Sequence, residues 1–156
     1  MNDTDLAIIE QLQANARVTN RALADAVGLA PSTTLQRVRD LEARGAITGY
    51  HATVDLKALG RNLEAMVFVR LQPKTGEAVE AFLDHVLSMP ETVAVHLIGG
   101  VEDAIVHLAV EDTAALRQVV LDRISNFPGA VDERSTLLFE HRRKTVLGPI
   151  GDRATR

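Results

Sequence analysis

The side chains best suited to chemistry form a polar and basic group between residues 17 and 39. On a helical wheel that begins at Pro31, Leu35, Val38 and Leu41 form an apolar stripe, and hydroxyl, amide and guanidinium groups occupy the remaining surface. Such groups form hydrogen bonds with base edges and phosphates. The segment therefore predicts a helix that contacts DNA. The candidate contact residues are Arg17, Arg21, Ser32, Thr33, Thr34, Gln36, Arg37 and Arg39.

Polar side chains along this helix have different expected roles. The amide of Gln36 could pair with adenine through two hydrogen bonds, as Gln does in the major groove. Arg37 and Arg39 lie on the two flanks of the wheel, from which guanidinium groups reach phosphates. Asp40 lies on the polar side and would repel phosphates. The C-terminal half of the helix is therefore expected to leave the groove.

Three short helices are expected to position these groups. The first covers residues 2–15, with apolar side chains at helical spacing. The second begins at residue 19 or 20 and ends at Gly28, which suits a left-handed turn. Pro31 suits the first turn of the third helix, and Gly45 ends that helix. Two helices joined by a glycine turn indicate a helix-turn-helix, whose second helix lies in the major groove.

The segment after the third helix predicts a wing. Residues 47–54 alternate weakly between apolar and polar types, as a two-stranded hairpin would. Residues 1–54 therefore predict a winged helix-turn-helix domain, followed by a linker at 55–62. A plain three-helix bundle would show the same amphipathic pattern, and the pattern alone leaves that alternative open.

The rest of the chain predicts elements in the order β-α-β-β-α-β. Strands are expected at 63–72, 93–98, 104–111 and 131–139, and helices at 75–88 and 113–126. An internal repeat supports two βαβ halves, because residues 82–93 align with residues 120–131 and both copies place a Pro between helix and strand. Two such halves form a ferredoxin-like sandwich. The predicted fold class is α+β, with the sandwich at 63–140 and a basic tail at 141–156.

Charge and composition restrict the class of protein. The 156 residues carry a formal net charge of −4, and residues 61–140 hold 6 basic against 13 acidic groups. This balance argues against a general polyanion binder, and any DNA-binding face must be local. Cysteine is absent, no apolar run reaches the ~18 residues of a membrane span, and the N-terminus lacks signal-peptide features. A cytoplasmic protein without membrane association is expected.

Taken together, these motifs resemble the Lrp/AsnC family of bacterial and archaeal transcription regulators. The resemblance extends over residues 2–145 and implies a dimer, often assembled into tetramers or octamers, with amino acids or related metabolites as effectors. The matching stretches are Asp5-x-x-Ile8-Ile9-x-x-Leu12, Asn15-Ala16-Arg17, Leu23-Ala24, Val27-Gly28-Leu29, Arg37-Val38-x-x-Leu41-Glu42, Gly45-x-Ile47-x-Gly49-Tyr50 and Gly60.

The resemblance also implies an effector site between subunits, near the turn that joins the second and third strands. Gly100 and Asp103 occupy the family's G-x-x-D positions, but the aromatic residue usual beside that Asp is replaced by Glu102 and Ala104. Glu102 could pair with an α-amino group, or it could be a solvated turn residue. The implied site consists of Ile98, Gly99, Gly100, Val101, Glu102, Asp103 and Ala104.

Two histidines on the predicted hairpin are candidates for an interface. A hairpin centred between residues 101 and 102 pairs His96 with His107. Zinc requires three or four ligands, and no further cluster is evident, so neither a metal nor a cofactor is expected. One face of the hairpin should cover the helices, and the other should face a second sheet in the dimer. The first face holds Val95, Leu97, Val106 and Leu108, and the second holds His96, Ile98, Ile105 and His107.

Other functions remain open beside regulation of transcription. Sirohaem decarboxylases resemble the family in fold, but they would need His and basic residues around a large pocket. An architectural DNA-binding protein without an effector would bind DNA with steep salt dependence and little sequence preference. The polar third helix favours a non-enzymatic regulator. The symmetry of a dimer then predicts a pseudo-palindromic DNA site.

Overall fold

The computed structural model describes residues 1–150, which form two compact units. Unit 1 contains residues 1–52 together with residues 142–150, and unit 2 contains residues 53–141. Within residues 1–150, no helix is long and apolar enough to cross a membrane. Part of the basic tail predicted at 141–156 lies outside the described residues, because the description ends at residue 150.

Unit 1 contains the three predicted helices, which surround a small apolar core. Ile8, Leu23 and Leu41 are buried together, one from each helix. Gly28 closes the second helix in a left-handed conformation with φ 68°, as predicted. The helices are α1 Asp3–Ala14, α2 Asn20–Val27 and α3 Pro31–Ala43.

A buried carboxylate joins α1 to α3. Asp5 is only 5% exposed, and its two oxygens accept hydrogen bonds from Arg37 at 2.9 Å and from Arg44 at 3.3 Å. Burial by itself raises the pKa of Asp5, but hydrogen bonds from Arg44, from the Asn2 backbone and from Arg37 together lower it. Charge as well as apolar packing therefore attaches α3 to the start of α1.

The buried stripe of α3 differs from the predicted stripe by one residue. Thr34 is fully buried, and its hydroxyl donates to the Ala30 carbonyl at 3.1 Å, whereas Leu35 is 40% exposed. The prediction that Leu35 lies inward is therefore wrong. Residues 34, 38 and 41 are spaced by four and then three residues, which follows the 3.6-residue period of a helix. The predicted stripe of residues 35, 38 and 41 is spaced by three residues at each step, and such a stripe turns away from the core.

Residues 47–54 contain no strand, so the predicted two-stranded wing is wrong. The segment has little apolar surface to bury, since only Ile47 packs against the core of unit 1 and Val54 is exposed. An isolated two-stranded hairpin is at best marginally stable in water. The Tyr50 hydroxyl instead donates to the Glu42 carboxylate at 2.9 Å, which holds the segment against the end of α3.

Unit 2 is a four-stranded antiparallel sheet with helices, in the predicted β-α-β-β-α-β order. The strand order β2-β3-β1-β4 is that of a ferredoxin-like sandwich, which confirms the α+β fold class. The elements are β1 Leu63–Leu71, α4 Gly76–Ser88, β2 Thr92–Leu97, β3 Ala104–Val110, α5 Thr113–Val119 with a π-helical continuation at Val120–Ser125, and β4 Ala130–Leu138.

The core of unit 2 lies on one face of this sheet. Alternate residues of β1 point into the core, where the side chains of Phe82 and Val86 from α4 and Ile124 from the end of α5 meet them. The other alternate residues of β1 lie on the opposite face, which no helix of unit 2 covers. These opposite-face residues are Glu64, Met66, Phe68 and Arg70.

The β2–β3 hairpin is shifted from the predicted register. His96 faces Ile105 rather than His107, so the predicted histidine pair is wrong. The loop closes where the Ile98 N–H donates to the Asp103 carbonyl at 2.9 Å, and the Asp103 N–H donates to β1. This attachment of Asp103 to β1 moves the centre of the turn one residue earlier in the chain.

The predicted faces of the hairpin are retained, with one correction. A shift of two residues in pairing leaves side chains on the same face. Val106 and Leu108 are buried in the core, and Val95 packs against it. Leu97 is 58% exposed, because it ends the edge strand β2, where the helices do not cover the sheet.

Replacing Asp5 with Asn should destabilise unit 1 at neutral pH and much less in acid. The folded pKa of Asp5 is lowered, so its charge stabilises the fold above the unfolded pKa of about 3.9, and this contribution is lost as the pH falls through the lower folded pKa. The expected loss at pH 7 is about 1.5–3 kcal/mol, as for hydrogen bonds to a charged group.

Thermal unfolding followed by circular dichroism between pH 3 and pH 7 measures this loss. The matched control is Asp3→Asn, an exposed acid in the same helical turn, which should leave the unfolding temperature nearly unchanged. A destabilisation by Asp5→Asn that stays constant down to pH 3 would contradict the role given to the charge.

Candidate functional site

The structure brings most of the predicted DNA-contact residues of α3 onto one exposed face. Ser32, Thr33, Gln36 and Arg39 are all exposed, and Leu35 lies among them. Thr34 is fully buried, so the prediction that it contacts DNA is wrong. The exposed face therefore carries hydroxyl and amide groups, one guanidinium group, the carboxylate of Asp40 and one apolar side chain.

Arg37 has a structural partner that the sequence did not reveal. Its guanidinium donates to Asp5 at 2.9 Å, and its side chain is 33% exposed. It therefore lies at the edge of the exposed face, with part of its hydrogen-bonding capacity used inside unit 1. The acidic residue of the Asp5-x-x-Ile8 motif was the available signal, but nothing in its spacing indicated an arginine 32 residues later.

Backbone and amide hydrogen bonds set the positions of the two earlier arginines. Arg17 is exposed in the turn after α1, where its N–H donates to the Asn15 side chain at 3.0 Å. Arg21 is exposed in the first turn of α2. Its neighbour Asn20 donates to the Pro31 carbonyl at 2.8 Å, which joins the start of α2 to the start of α3.

The turn at residues 98–104 is fixed to β1 through Asp103. Its carboxylate accepts the Leu71 N–H at 2.8 Å and pairs with Lys74 at 2.8 Å. The hydrogen bond from Lys74 and the Leu71 N–H hold the pKa of Asp103 below its usual value. Asp103 therefore anchors the turn, and its carboxylate is already occupied by groups of unit 2.

Glu102 belongs to a charged cluster on the face of the sheet away from the helices. Its carboxylate accepts a hydrogen bond from Arg134 at 3.2 Å, and the Arg134 guanidinium lies 4.6 Å from the centre of the Phe68 ring. Arg70 and Asp132 pair beside them at 3.6 Å. Glu102 is thus an ion-paired residue rather than a freely solvated turn residue.

A shallow pocket of about 310 Å³ lies over this cluster. Five of its lining residues come from β1 and β4, and sequence reasoning missed all of them. The order of elements was the available signal, because it places β1 in the centre of the sheet and beside β4. The missed residues are Phe68, Arg70, Asp132, Glu133 and Arg134.

Two histidines of the same face lie close together. His107 is buried, and its Nε2 lies 2.8 Å from the Glu64 carboxylate. Its ring is perpendicular to that of His141, with 6.2 Å between the centres. Within residues 1–150, no group of three or more His, Cys, Asp or Glu side chains could hold a metal ion.

A helix-turn-helix with an exposed polar second helix, together with a β-α-β-β-α-β unit that carries a charged pocket, defines a ligand-responsive DNA-binding regulator. Comparison with protein families agrees with this class. Residues 1–48 match the family model described as winged helix-turn-helix DNA-binding, and residues 64–146 match the Lrp/AsnC ligand binding domain. The chain belongs to the Lrp/AsnC family of transcriptional regulators.

Individual relatives resemble the chain over most of its length. The HTH-type transcriptional regulator AldR of Mycolicibacterium smegmatis is 36% identical, over 92% of this chain and 84% of its own. The leucine-responsive regulatory protein of Haemophilus influenzae is 30% identical, over 90% of this chain and 85% of its own. A transcriptional regulator of Neisseria meningitidis in complex with L-Met superposes with a TM-score of 0.86 at 29% identity, covering 96% of each chain.

Proposed function

We propose that this regulator binds double-stranded DNA as a homodimer through the exposed face of α3 and responds to an amino acid bound beside the 98–104 turn. The proposal rests most directly on one observation. The side chains on one side of α3 are held by the core and Asp5, and those on the other side are exposed hydrogen-bonding groups. The regulator is proposed to act in the cytoplasm and to catalyse no reaction.

The charge of α3 supports the use of two copies. Arg39 is the one basic side chain in the exposed set on α3, and Arg17 and Arg21 are the further candidates for phosphate contacts. With so few positive charges, one copy binds DNA weakly. Two copies held in a fixed register gain affinity because the second contact becomes intramolecular. A twofold dimer would then recognise two half-sites about one helical turn, or a multiple, apart.

The uncovered face of the sheet supports a second copy as the dimer partner. Met66 and Phe68 of β1 and Ile105 of β3 lie on this face and are only partly buried within one chain. Apolar surface of this kind is typical of an interface between proteins. We place the dimer contact on this face, and further assembly into tetramers or octamers would use other surfaces.

The charged cluster beside the turn suits a zwitterion. The guanidinium groups of Arg70 and Arg134 can bind an α-carboxylate, since Arg forms strong paired hydrogen bonds with carboxylates. Glu102 can accept hydrogen bonds from an α-ammonium group. The L-Met complex of the Neisseria regulator supports an amino acid as the ligand class.

Adjacent threonines of α3 provide a matched test of the DNA-contact face. Thr33→Val removes a hydroxyl group from the exposed face and should weaken DNA binding about five- to tenfold, the equivalent of one lost hydrogen bond. Thr34→Val is the control: it removes a buried hydroxyl group, and the Ala30 carbonyl keeps its bond from the residue 34 N–H at 3.0 Å.

Electrophoretic mobility shift with a DNA site selected from a random library measures both affinities. Thr34→Val should bind like the natural chain and change the free energy of unfolding by no more than about 1 kcal/mol. Equal effects of the two substitutions on DNA affinity, or a larger effect at Thr34, would contradict the assignment of the contact face to Thr33 and its exposed neighbours.

Arg134→Gln tests the effector site. A thermal-shift screen with the twenty amino acids should find a ligand that raises the unfolding temperature, because a ligand at 100 times its Kd stabilises the folded state by about 2.7 kcal/mol. Arg134→Gln should weaken that ligand at least tenfold by removing one charged hydrogen bond of roughly 1.4 kcal/mol or more.

Arg117→Gln is the matched control for the effector test. Arg117 is an exposed arginine of α5, away from the pocket-lining residues, and its substitution should leave the thermal shift unchanged. If no amino acid shifts the unfolding temperature, or if Arg134→Gln and Arg117→Gln respond alike, the proposed amino-acid site is wrong.

A further inference from the structure

Gln36 and Asp40 form a hydrogen-bonded pair on the exposed face of α3. Nε2 of Gln36 donates to Oδ1 of Asp40 at 2.9 Å, one helical turn further along, and both side chains are exposed. We propose that Asp40 is a positioning residue, which orients the Gln36 amide and so makes this position of the protein specific for adenine. This inference rests on the proposed contact of α3 with DNA.

The chemistry of the two groups determines the orientation of the amide. A carboxylate only accepts hydrogen bonds, whereas a primary amide has two N–H donors on one side and a carbonyl acceptor on the other. Asp40 therefore selects the orientation in which the nitrogen of Gln36 points along the helix toward residue 40. The carbonyl Oε1 and the second N–H remain free on the outward edge of the amide.

This free edge is complementary to adenine. In the major groove, adenine presents N7 as an acceptor and its N6 amino group as a donor. The second N–H of Gln36 can donate to N7 while Oε1 accepts from N6. Guanine presents two acceptors, N7 and O6, so the same edge would place Oε1 against O6. An unrestrained Gln could offer both N–H groups to guanine, but one of them is already bonded to Asp40.

The pairing with Gln36 explains why α3 carries the Asp40 carboxylate on a face that is proposed to approach DNA phosphates. The side chain of Asp40 brings a negative charge close to the DNA, which lowers affinity for any sequence. The Arg44 guanidinium donates to the backbone carbonyl of Asp40 and to the Asp5 carboxylate, and neither of these contacts neutralises the Asp40 carboxylate. Asp40 thus weakens binding in general and increases the preference for one base.

Two substitutions separate the hydrogen bond from the charge. Asp40→Asn removes the charge and keeps a side-chain carbonyl that can accept from Gln36, and Asp40→Ala removes both. The two variants have the same charge, so any difference between them reports the hydrogen bond. Gln36→Ala identifies the base pair that Gln36 contacts, as the position at which the preference disappears.

The experiment uses the full chain and DNA sites selected from a random library. The measured quantity is the ratio of Kd values for sites that carry G·C or A·T at the position that Gln36→Ala identifies. For the natural chain we expect a preference of about 5- to 150-fold for A·T, the usual value of a bidentate contact. Asp40→Asn should retain part of it, because its amide can accept from Gln36 but can also turn and donate to it, and Asp40→Ala should reduce it at least threefold. Both should bind nonspecific DNA more tightly than the natural chain.

The outcomes distinguish this inference from the proposed function. If Asp40→Ala keeps the full preference while Gln36→Ala loses it, Gln36 contacts the base without help from Asp40, and the positioning role is overturned. If Asp40→Asn and Asp40→Ala lose the preference equally, an acceptor at residue 40 does not produce the preference, and the hydrogen-bond mechanism is overturned. If Gln36→Ala changes the preference at no position, the inference is overturned, while the contact of Thr33 with DNA is tested separately.

Discussion

The buried carboxylate of Asp5 is the interaction on which the arrangement of unit 1 depends most. It accepts hydrogen bonds from Arg37, in the middle of α3, and from Arg44, which directly follows the last residue of α3. It also completes the N-terminal cap of α1 together with Asn2. Within residues 1–150, the apolar core of this unit contains three buried large side chains, one from each helix. Such a small core does not by itself determine how far α3 rotates about its axis. Two directed ion pairs at one side do restrict that rotation, and they thereby determine which residues of α3 are exposed.

Unit 2 divides its functions between the two faces of one sheet. The helices cover the face that carries the core, and the opposite face holds partly buried apolar residues beside charged ones. Asp103 connects the 98–104 turn to Leu71 at the end of β1 and to Lys74 just after it. Glu102 lies in this turn and pairs with Arg134 of β4, the strand beside β1. A ligand that binds Glu102 or Arg134 would therefore act on the turn, on β1 and on β4. In the proposed dimer this face is also the contact surface, so a ligand bound there would directly change how the two subunits pack against each other.

Local signals predicted the elements well. Gly28 and Pro31 each require a particular backbone conformation, and both stand where they were expected. The strands of unit 2 agree within a residue or so, because alternation and Pro residues limit where they can begin and end. The predictions failed where tertiary contacts decide the outcome. Thr34 replaces Leu35 in the core because the rotation of α3 is set by contacts with α1, including the pair of Asp5 and Arg37.

The hairpin and the wing failed for related reasons. The position of the β2–β3 turn depends on Asp103 binding β1, a partner about 30 residues away in sequence, so pairing centred between residues 101 and 102 gave the wrong register. The residues after Ile47 alternate in polarity, but unit 1 contains no strand among its described residues that could pair with them. The members of the pocket from β1 and β4 were missed because their proximity follows from sheet order and not from any local motif.

The ratio of specific to nonspecific DNA affinity in Asp5→Asn, at a temperature where unit 1 remains folded, is the most direct measurement of whether Asp5 orients α3. If Asp5 sets the rotation of α3, this ratio should fall about tenfold or more, equivalent to roughly 1.4 kcal/mol. Nonspecific affinity should not decrease, because Arg37 and Arg44 are released for phosphates. A folded Asp5→Asn variant that keeps the ratio of the natural chain would contradict the central role of this carboxylate.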